Sequence, residues 1–218
     1  MQKKILYLMP GMAASPKIFE LLKFPTSISI VYLKWISPIK DESLSDYAYR
    51  ISKYITTKNP ILLGVSFGGV LVQEISKIIK CEKVFIVSSI KSKKELPVTM
   101  KMAKHTKIHK LFPMQWIENI ENLALFVFGD SIRFRVGLYK KYLSERDPDY
   151  LSWSINSLVN WDQEYILENV THIHGKKDNI FPINQIKKPV IEIEGEHAII
   201  LTQANWFNEN LPKLLAEP

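Results

Sequence analysis

Ser66 stands in Gly64-Val65-Ser66-Phe67-Gly68, where the apolar run "PILLGV" gives way to the helix-like stretch "GGVLVQEISKII". A free serine hydroxyl is a weak nucleophile at neutral pH and needs both a neighbouring base and an exposed position. A sharp turn between strand and helix supplies the exposure by forcing the serine into a strained backbone conformation. Bulky side chains two positions either side would collide with the packed strand and helix, and Gly64 and Gly68 remove those collisions. The helix that follows aims its free N–H groups and positive dipole end at an oxyanion. Other glycine loops do not fit. A phosphate loop needs Gly-Lys-Ser/Thr, and no lysine follows Gly69 before Lys77; a dinucleotide fingerprint needs glycine where Ser66 stands. The remaining alternative is a structural turn.

The elements that must position Ser66 alternate between short β-rich runs and helical patterns. "KILYLM" reads as a strand, "PGMAASPKIFELL" as a turn into a short helix, and "SISIVYLKW" as a second strand. "SLSDYAYRISKYIT" reads as a helix with Ser43 as N-cap and Leu44, Tyr47, Ala48, Ile51 and Ile55 at apolar spacing. Strand "PILLGV", helix "GGVLVQEISKII" and strand "KVFIVSS" follow. Such alternation predicts a parallel sheet covered on both faces.

From about Leu96 to Trp161 the pattern turns mostly helical, including "PMQWIENIENLALFVFG" and "DPDYLSWSINSLVNW", the latter with Asp147 or Asp149 near its cap. "LALFVFG" also fits a strand. Strands resume with "VTHIHG" and "PVIEIEG", and a final helix, "ILTQANWFNENLPKLL", closes the chain. The expected organisation is a single domain over residues 1–218 with a helical lid insertion at 91–165. A lid there would cover the carboxyl ends of the strands, where open α/β sheets bind ligands.

Together the strand–Ser66–helix unit and this element order resemble the α/β-hydrolase superfamily over nearly the whole chain apart from the lid. The resemblance implies a mostly parallel sheet of about six strands with helices on both faces, and a nucleophile, an acid and a histidine in that chain order. Both later residues are present. "THIHGKKDNIFP" is a strand, a Gly turn and Asp178, and looks like the family's G-x-x-D-x-x-x-P acid loop; "VIEIEGEHAII" is a last strand and a turn carrying His197. By role, His197 takes the proton from Ser66 and later gives it to the leaving group, while Asp178 holds the imidazole tautomer and stabilises its charged form.

Each assignment has a plainer counterpart: Asp178 as a turn former and His197 as a surface turn residue. Among rivals, His172 and His174 alternate within a strand and so share a sheet face, which favours packing. His105 and His109 fall in the basic part of the insertion, and Asp130, the best rival acid, also falls within it. The resemblance further implies two backbone oxyanion donors, Phe67 N–H and one from the turn "MPGMAAS". Family members often have His-Gly there; Pro10-Gly11 replaces it, and Met12 N–H is the candidate.

The sequence departs from the family pattern in two places. It opens directly on what would be the family's third strand, so the first antiparallel strands are expected to be missing. Glu196 stands where glycine or another small residue is frequent, and its carboxylate either raises the histidine pKa or faces solvent.

Bulk properties narrow the classes. The chain of 218 residues is 46% apolar and 23% charged, ordinary values for a globular domain. Apolar runs such as "KVFIVSSI" are far too short to span a bilayer. In "MQKKILYLMPGM" two lysines precede an apolar run that Pro and Gly cut short, which reads as a strand rather than a signal peptide; a cytoplasmic location follows. The lone cysteine, Cys81, excludes an internal disulfide and a cysteine zinc cage, and fits a small buried or half-buried residue. The net charge is +7, and Lys91 to Lys110, with seven Lys and one Glu, carries +6 of it. That stretch is a solvated face or an attractor of an anionic substrate portion or a membrane surface. No nucleic-acid motif accompanies it, and nucleic acid is not an expected partner.

The expected function is a serine hydrolase of the α/β-hydrolase type, cleaving a carboxylic ester or thioester of a small or medium acyl substrate through an acyl-enzyme. Neither metal nor organic cofactor is implied. Met12, Phe67, Met100, Met102, Phe112, Met114 and Trp116 are apolar candidates for substrate contact or core. The alternatives are a catalytically inactive binding protein on this scaffold, or lyase or cofactor-free oxidase chemistry; Ser66 at the elbow disfavours an aspartyl nucleophile.

Overall fold

The computed structural model describes residues 4–106 and 141–217. Six strands, β1 (Lys4–Met9), β2 (Ile28–Tyr32), β3 (Ile61–Val65), β4 (Lys83–Val87), β5 (Val170–Gly175) and β6 (Ile191–Ile193), form one sheet in the order β2-β1-β3-β4-β5-β6. All five pairings are parallel. The central strands are near-continuous apolar runs because both faces are covered: every residue of β3 is buried, and so are four of the five in β4.

The strand order sets where helices lie. The step from β1 to β2 runs one way along the sheet, and every later step runs the other way. Right-handed crossovers therefore place their connections on opposite faces. One face carries α1 (Leu44–Ser52) and α2 (Phe67–Ile78), which pack together. Against the other, the turn Pro16–Phe19 meets α5 (Ile199–Thr202), and α6 (Ala204–Ala216) is tied to the β1 and β4 ends through Lys4 Nζ to Leu215 O and Lys83 Nζ to Leu214 O. The order reverses between β1 and β3, so the crevice at their carboxyl ends is the switch point of the sheet.

Several expected boundaries shift. The stretch after "PGMAAS" closes as a single 3-10 turn, Pro16–Phe19. Helix α1 begins at its Ser43 cap, whose Oγ accepts from Asp46 N–H at 3.1 Å, but it ends at Ser52. Tyr54 N–H and Ile55 N–H bond three residues back, so Ile55 reaches the core from a tightened turn rather than from the helix. The final helix is two: Gln203, at φ −117° and ψ 30°, separates α5 from α6, and its side chain lies over Gly195.

Between β4 and β5 the described residues hold a 3-10 turn (Lys93–Glu95) and two helices, α3 (Val98–Thr106) and α4 (Pro148–Asn160). Asp147 is the α4 cap, accepting from Tyr150 N–H at 2.8 Å. The helical stretch "PMQWIENIENLALFVFG" and its strand alternative lie outside the described residues.

The basic stretch does not begin as a solvated face. Lys91 is 1% exposed and Glu95 0%. Lys91 Nζ donates to Lys187 O and, at 2.9 Å, to Pro189 O, while Glu95 accepts from Lys91 N–H and Lys187 N–H at 2.6 and 2.8 Å. Two charges leave water only when hydrogen bonds replace it. Burial lowers the Lys91 pKa and raises that of Glu95. Lys93 and Lys94 both pair with Glu164. This cluster fastens the start of the β4–β5 connection to the residues before β6.

Candidate active site

Ser66 caps α2 at φ 53° and ψ −123°, a left-handed conformation that side chains disfavour. Bonds on both sides hold it there. Its N–H donates to Val87 O at 2.8 Å, and its carbonyl accepts from Gly69 N–H at 2.8 Å and Ser89 Oγ at 2.7 Å. The glycines permit two close approaches. A Cβ on Gly64 would lie 2.2 Å from Gly68 O, against the start of α2. A Cβ on Gly68 would lie 2.3 Å from Pro10 O, so the second glycine makes room for the end of β1 rather than for β3. Both clashes are with backbone, which cannot step aside. Gly68→Ala is therefore expected to destabilise the fold by about 2 kcal/mol or more, with the loss measured by urea denaturation.

The structure brings Ser66, His197 and Asp178 into one hydrogen-bonded row, although 131 residues separate the first two. His197 Nε2 lies 2.9 Å from Ser66 Oγ, and Nδ1 lies 2.8 Å from Asp178 Oδ2. With Asp178 ionised, Nδ1 carries the proton and Nε2 is the acceptor that faces the serine. The other carboxylate oxygen, Oδ1, accepts from Ile180 N–H at 2.8 Å and Phe181 N–H at 2.9 Å. Burial works to raise the Asp178 pKa, but the histidines and the Phe181 N–H outweigh it and hold it below its ordinary value.

His172 and His174, expected in packing, are buried behind the acid. His174 Nε2–H donates to Phe181 O at 2.8 Å and lies 3.4 Å from Asp178 Oδ2. Its Nδ1 accepts from His172 Nε2–H at 3.0 Å. The pair thus fixes the far end of the acid loop. Burial lowers both pKa values, that of His172 well below the ordinary one, with His174 and Lys91 adding to the effect there.

A stability dependence follows for His172. Its folded-state pKa is depressed, so below about pH 6.5 the unfolded chain takes up a proton that the folded chain does not. The histidine's contribution is present above pH 6.5 and is lost as pH falls. The slope approaches about 1.4 kcal/mol per pH unit for this one group. Urea denaturation between pH 5 and 7 should show a shallower rise of stability with pH in His172→Gln than in the unaltered chain, the difference approaching that amount toward pH 5.

The turn after β1 adjoins the elbow: a Cβ on Gly11 would lie 3.3 Å from Ser66 Cβ. Within this turn Ala14 N–H donates to Gly11 O at 3.1 Å, and Ala13 N–H is directed to Tyr150 Oη. Met12 N–H stays out of the turn's own bonds. Phe67 N–H, in the first turn of α2, has no acceptor within its helix. The Phe67 side chain is core, stacked on Trp35 at 5.4 Å between ring centroids. Met12 and Met100 are half-buried against the core, and Met102 is 60% exposed. Phe112, Met114, Trp116, His109 and Asp130 lie outside the described residues. Sequence reading passed over Trp35, Tyr150 and Trp153, which form one aromatic cluster with Phe67 and Tyr47; bulky aromatics beside the predicted elements were the only signal.

Cys81 is half-buried, and burial pushes its thiol pKa up to about 11, leaving it protonated and unreactive. Among the described residues no helix is long and apolar enough to cross a membrane.

No protein-family model and no curated protein matches the sequence. Solved structures do match its backbone. A hydrolase from Oleispira antarctica is 12% identical with a TM-score of 0.77, covering 99% of this chain and 92% of that one. A lipase-esterase related protein from Clostridium acetobutylicum is 18% identical with a TM-score of 0.69, over 97% and 94%. The enol-lactonase from Burkholderia xenovorans is 11% identical with a TM-score of 0.71, over 100% and 93%. At these identities the likeness is one of backbone, and it agrees with the parallel sheet, the strand order and the elbow: the chain has the α/β-hydrolase fold.

Proposed function

We propose that the chain is a serine hydrolase that cleaves a carboxylic ester or thioester of a small or medium acyl group through an acyl-enzyme. The observation that carries this reading is the row from Ser66 Oγ through His197 to Asp178 at the carboxyl end of β3. His197 Nε2 removes the Ser66 proton as Oγ attacks the acyl carbon. The imidazolium then hands that proton to the departing alcohol or thiol. In the second half His197 takes a proton from water, the hydroxide oxygen attacks the acyl-enzyme, and Ser66 recovers its proton. Phe67 N–H and Met12 N–H are the proposed donors to the tetrahedral oxyanion.

The names of the matched structures (hydrolase, lipase-esterase related protein, enol-lactonase) agree with ester chemistry, a lactone being a cyclic ester. The connection between β4 and β5 leaves the sheet at the same end as Ser66, which supports its assignment as a lid insertion over residues 91–165 of a single domain. Stopped-flow mixing with p-nitrophenyl acetate tests the acyl-enzyme. The expected result is a burst of p-nitrophenol close to one equivalent per chain, followed by slower steady turnover. Turnover that persists in Ser66→Ala would contradict the reading.

A further inference from the structure

The turn that offers Met12 N–H is held from outside by a set of bonds that its position beside Ser66 does not require. Ala13 sits at φ 63°, a left-handed conformation in a residue other than glycine. With Ala14 N–H closing on Gly11 O, Ala13 is the third residue of a four-residue turn, the place where a positive φ marks a turn whose central peptide is flipped. Glycine is the usual occupant there, because alanine relaxes toward a negative φ and rotates the central Met12–Ala13 peptide with it.

Both backbone groups of Ala13 are engaged by the residues that close the β4–β5 connection. Ala13 N–H, which belongs to the flipped peptide, is directed to Tyr150 Oη at 3.4 Å, and Ala13 O accepts from Glu145 N–H at 3.0 Å. Ser15 N–H donates to Tyr142 O at 2.9 Å. On the opposite side Trp35 Nε1–H donates to Gly11 O at 2.9 Å. Trp35 and Tyr150 also touch each other, with ring centroids 5.3 Å apart, and Trp35 stacks at 9° on Phe67, whose N–H is the other proposed donor. The Tyr150 hydroxyl is thus seated from two directions: the Asp147 cap fixes the start of its helix, and the Trp35 ring fixes the phenol.

We propose that Trp35 and Tyr150 are positioning residues for the second oxyanion donor: Trp35 holds Gly11 O, the carbonyl of the same peptide that carries Met12 N–H, and Tyr150 braces the Met12–Ala13 peptide that follows, so that Met12 N–H faces the oxyanion. This rests on the serine-hydrolase reading above. Neither side chain reaches the reacting atoms; both act through the turn. The arrangement makes the closing arm of the β4–β5 connection part of the oxyanion device. Alanine at position 13 gives the turn a conformation that depends on that arm, whereas glycine would hold it without help.

The test uses the full chain, p-nitrophenyl acetate as substrate and phenylboronic acid as a tetrahedral mimic, with thermal melts to check folding. Ser66-dependent turnover by the unaltered chain is measured first. Its absence would remove the functional reading, and this proposal with it, before any positioning variant is made. Given that turnover, Trp35→Phe should lower kcat about 10- to 100-fold with KM within about 3-fold, since the peptide that carries Met12 N–H is loosened rather than deleted. Phenylboronic acid should weaken by a similar factor. Unchanged kcat in folded Trp35→Phe would overturn the proposal. So would a kcat loss in Trp35→Phe with phenylboronic acid bound as tightly as before, which would mark Trp35 as a packing residue. If Trp35→Phe does not fold, Tyr150→Phe serves instead by removing the acceptor of Ala13 N–H. The same kcat loss at constant KM supports the proposal, and unchanged kcat overturns it.

Discussion

Ser66→Ala is expected to lower kcat for p-nitrophenyl ester hydrolysis by about 10⁶-fold while leaving the fold intact. The size follows from what is lost. Alanine leaves no atom to attack the acyl carbon, and His197 Nε2 then faces a methyl group. Whatever turnover remains comes from binding and oxyanion donation to a water attack. The backbone consequences are small, because every bond that holds the elbow runs through main-chain atoms of Ser66: N–H to Val87 O, and O from Gly69 N–H and Ser89 Oγ. Alanine keeps all three, although it inherits the same positive φ. Circular dichroism and melting should therefore change little, and the kinetic loss can be read as chemistry. His197→Ala should approach the same residual rate, since residues that act as a unit do not contribute additively.

The second large effect is expected at the acid. Asp178→Asn should lower kcat by about 10⁴-fold near neutral pH with a folded protein. The direction follows from the two ends of the carboxylate. Oδ1 is engaged by Ile180 N–H and Phe181 N–H, so an asparagine places its only acceptor there and turns its NH₂ toward His197. That NH₂ needs an acceptor at Nδ1. The imidazole then moves its proton to Nε2, where it faces Ser66 Oγ as a donor and can no longer take the serine proton. His174 Nε2–H, 3.4 Å from Oδ2, faces the same NH₂ and discourages the substitution further. A kcat loss of less than about 10-fold in Asp178→Asn would mean that the tautomer is set by something other than Asp178.

How much of this was legible in the sequence differs by level. Six strands in parallel order could be read from runs such as "KILYLM" and "KVFIVSS", because strands buried on both faces leave short, dense apolar segments. The elbow was legible because its chemistry compresses into five residues. Asp178 and His197 each lie after a strand, and strand ends converge on one edge of a parallel sheet whatever the length of chain between them. Long-range polar packing was not legible. Nothing in "KSKKELP" marks Lys91 as an inward side chain, since its partners are carbonyls of Lys187 and Pro189 on a distant loop. His172 and His174 were placed correctly on one face, yet their link to Phe181 O and the acid loop needs the fold to be seen. Trp35 and Tyr150 read only as aromatics, because Gly11 O and Ala13 N–H, the groups they hold, carry no side-chain signature.

The account rests centrally on an activated Ser66, and a fluorophosphonate probe tests that most directly. The purified chain is treated with the probe and digested, and the adduct is located by peptide mass spectrometry, with Ser66→Ala and His197→Ala treated in parallel. The predicted result is a single phosphonylated position at Ser66, absent from Ser66→Ala and strongly reduced in His197→Ala. A folded chain left unlabelled both as it stands and with the β4–β5 connection trimmed to admit the probe would contradict the account, as would an adduct on another residue.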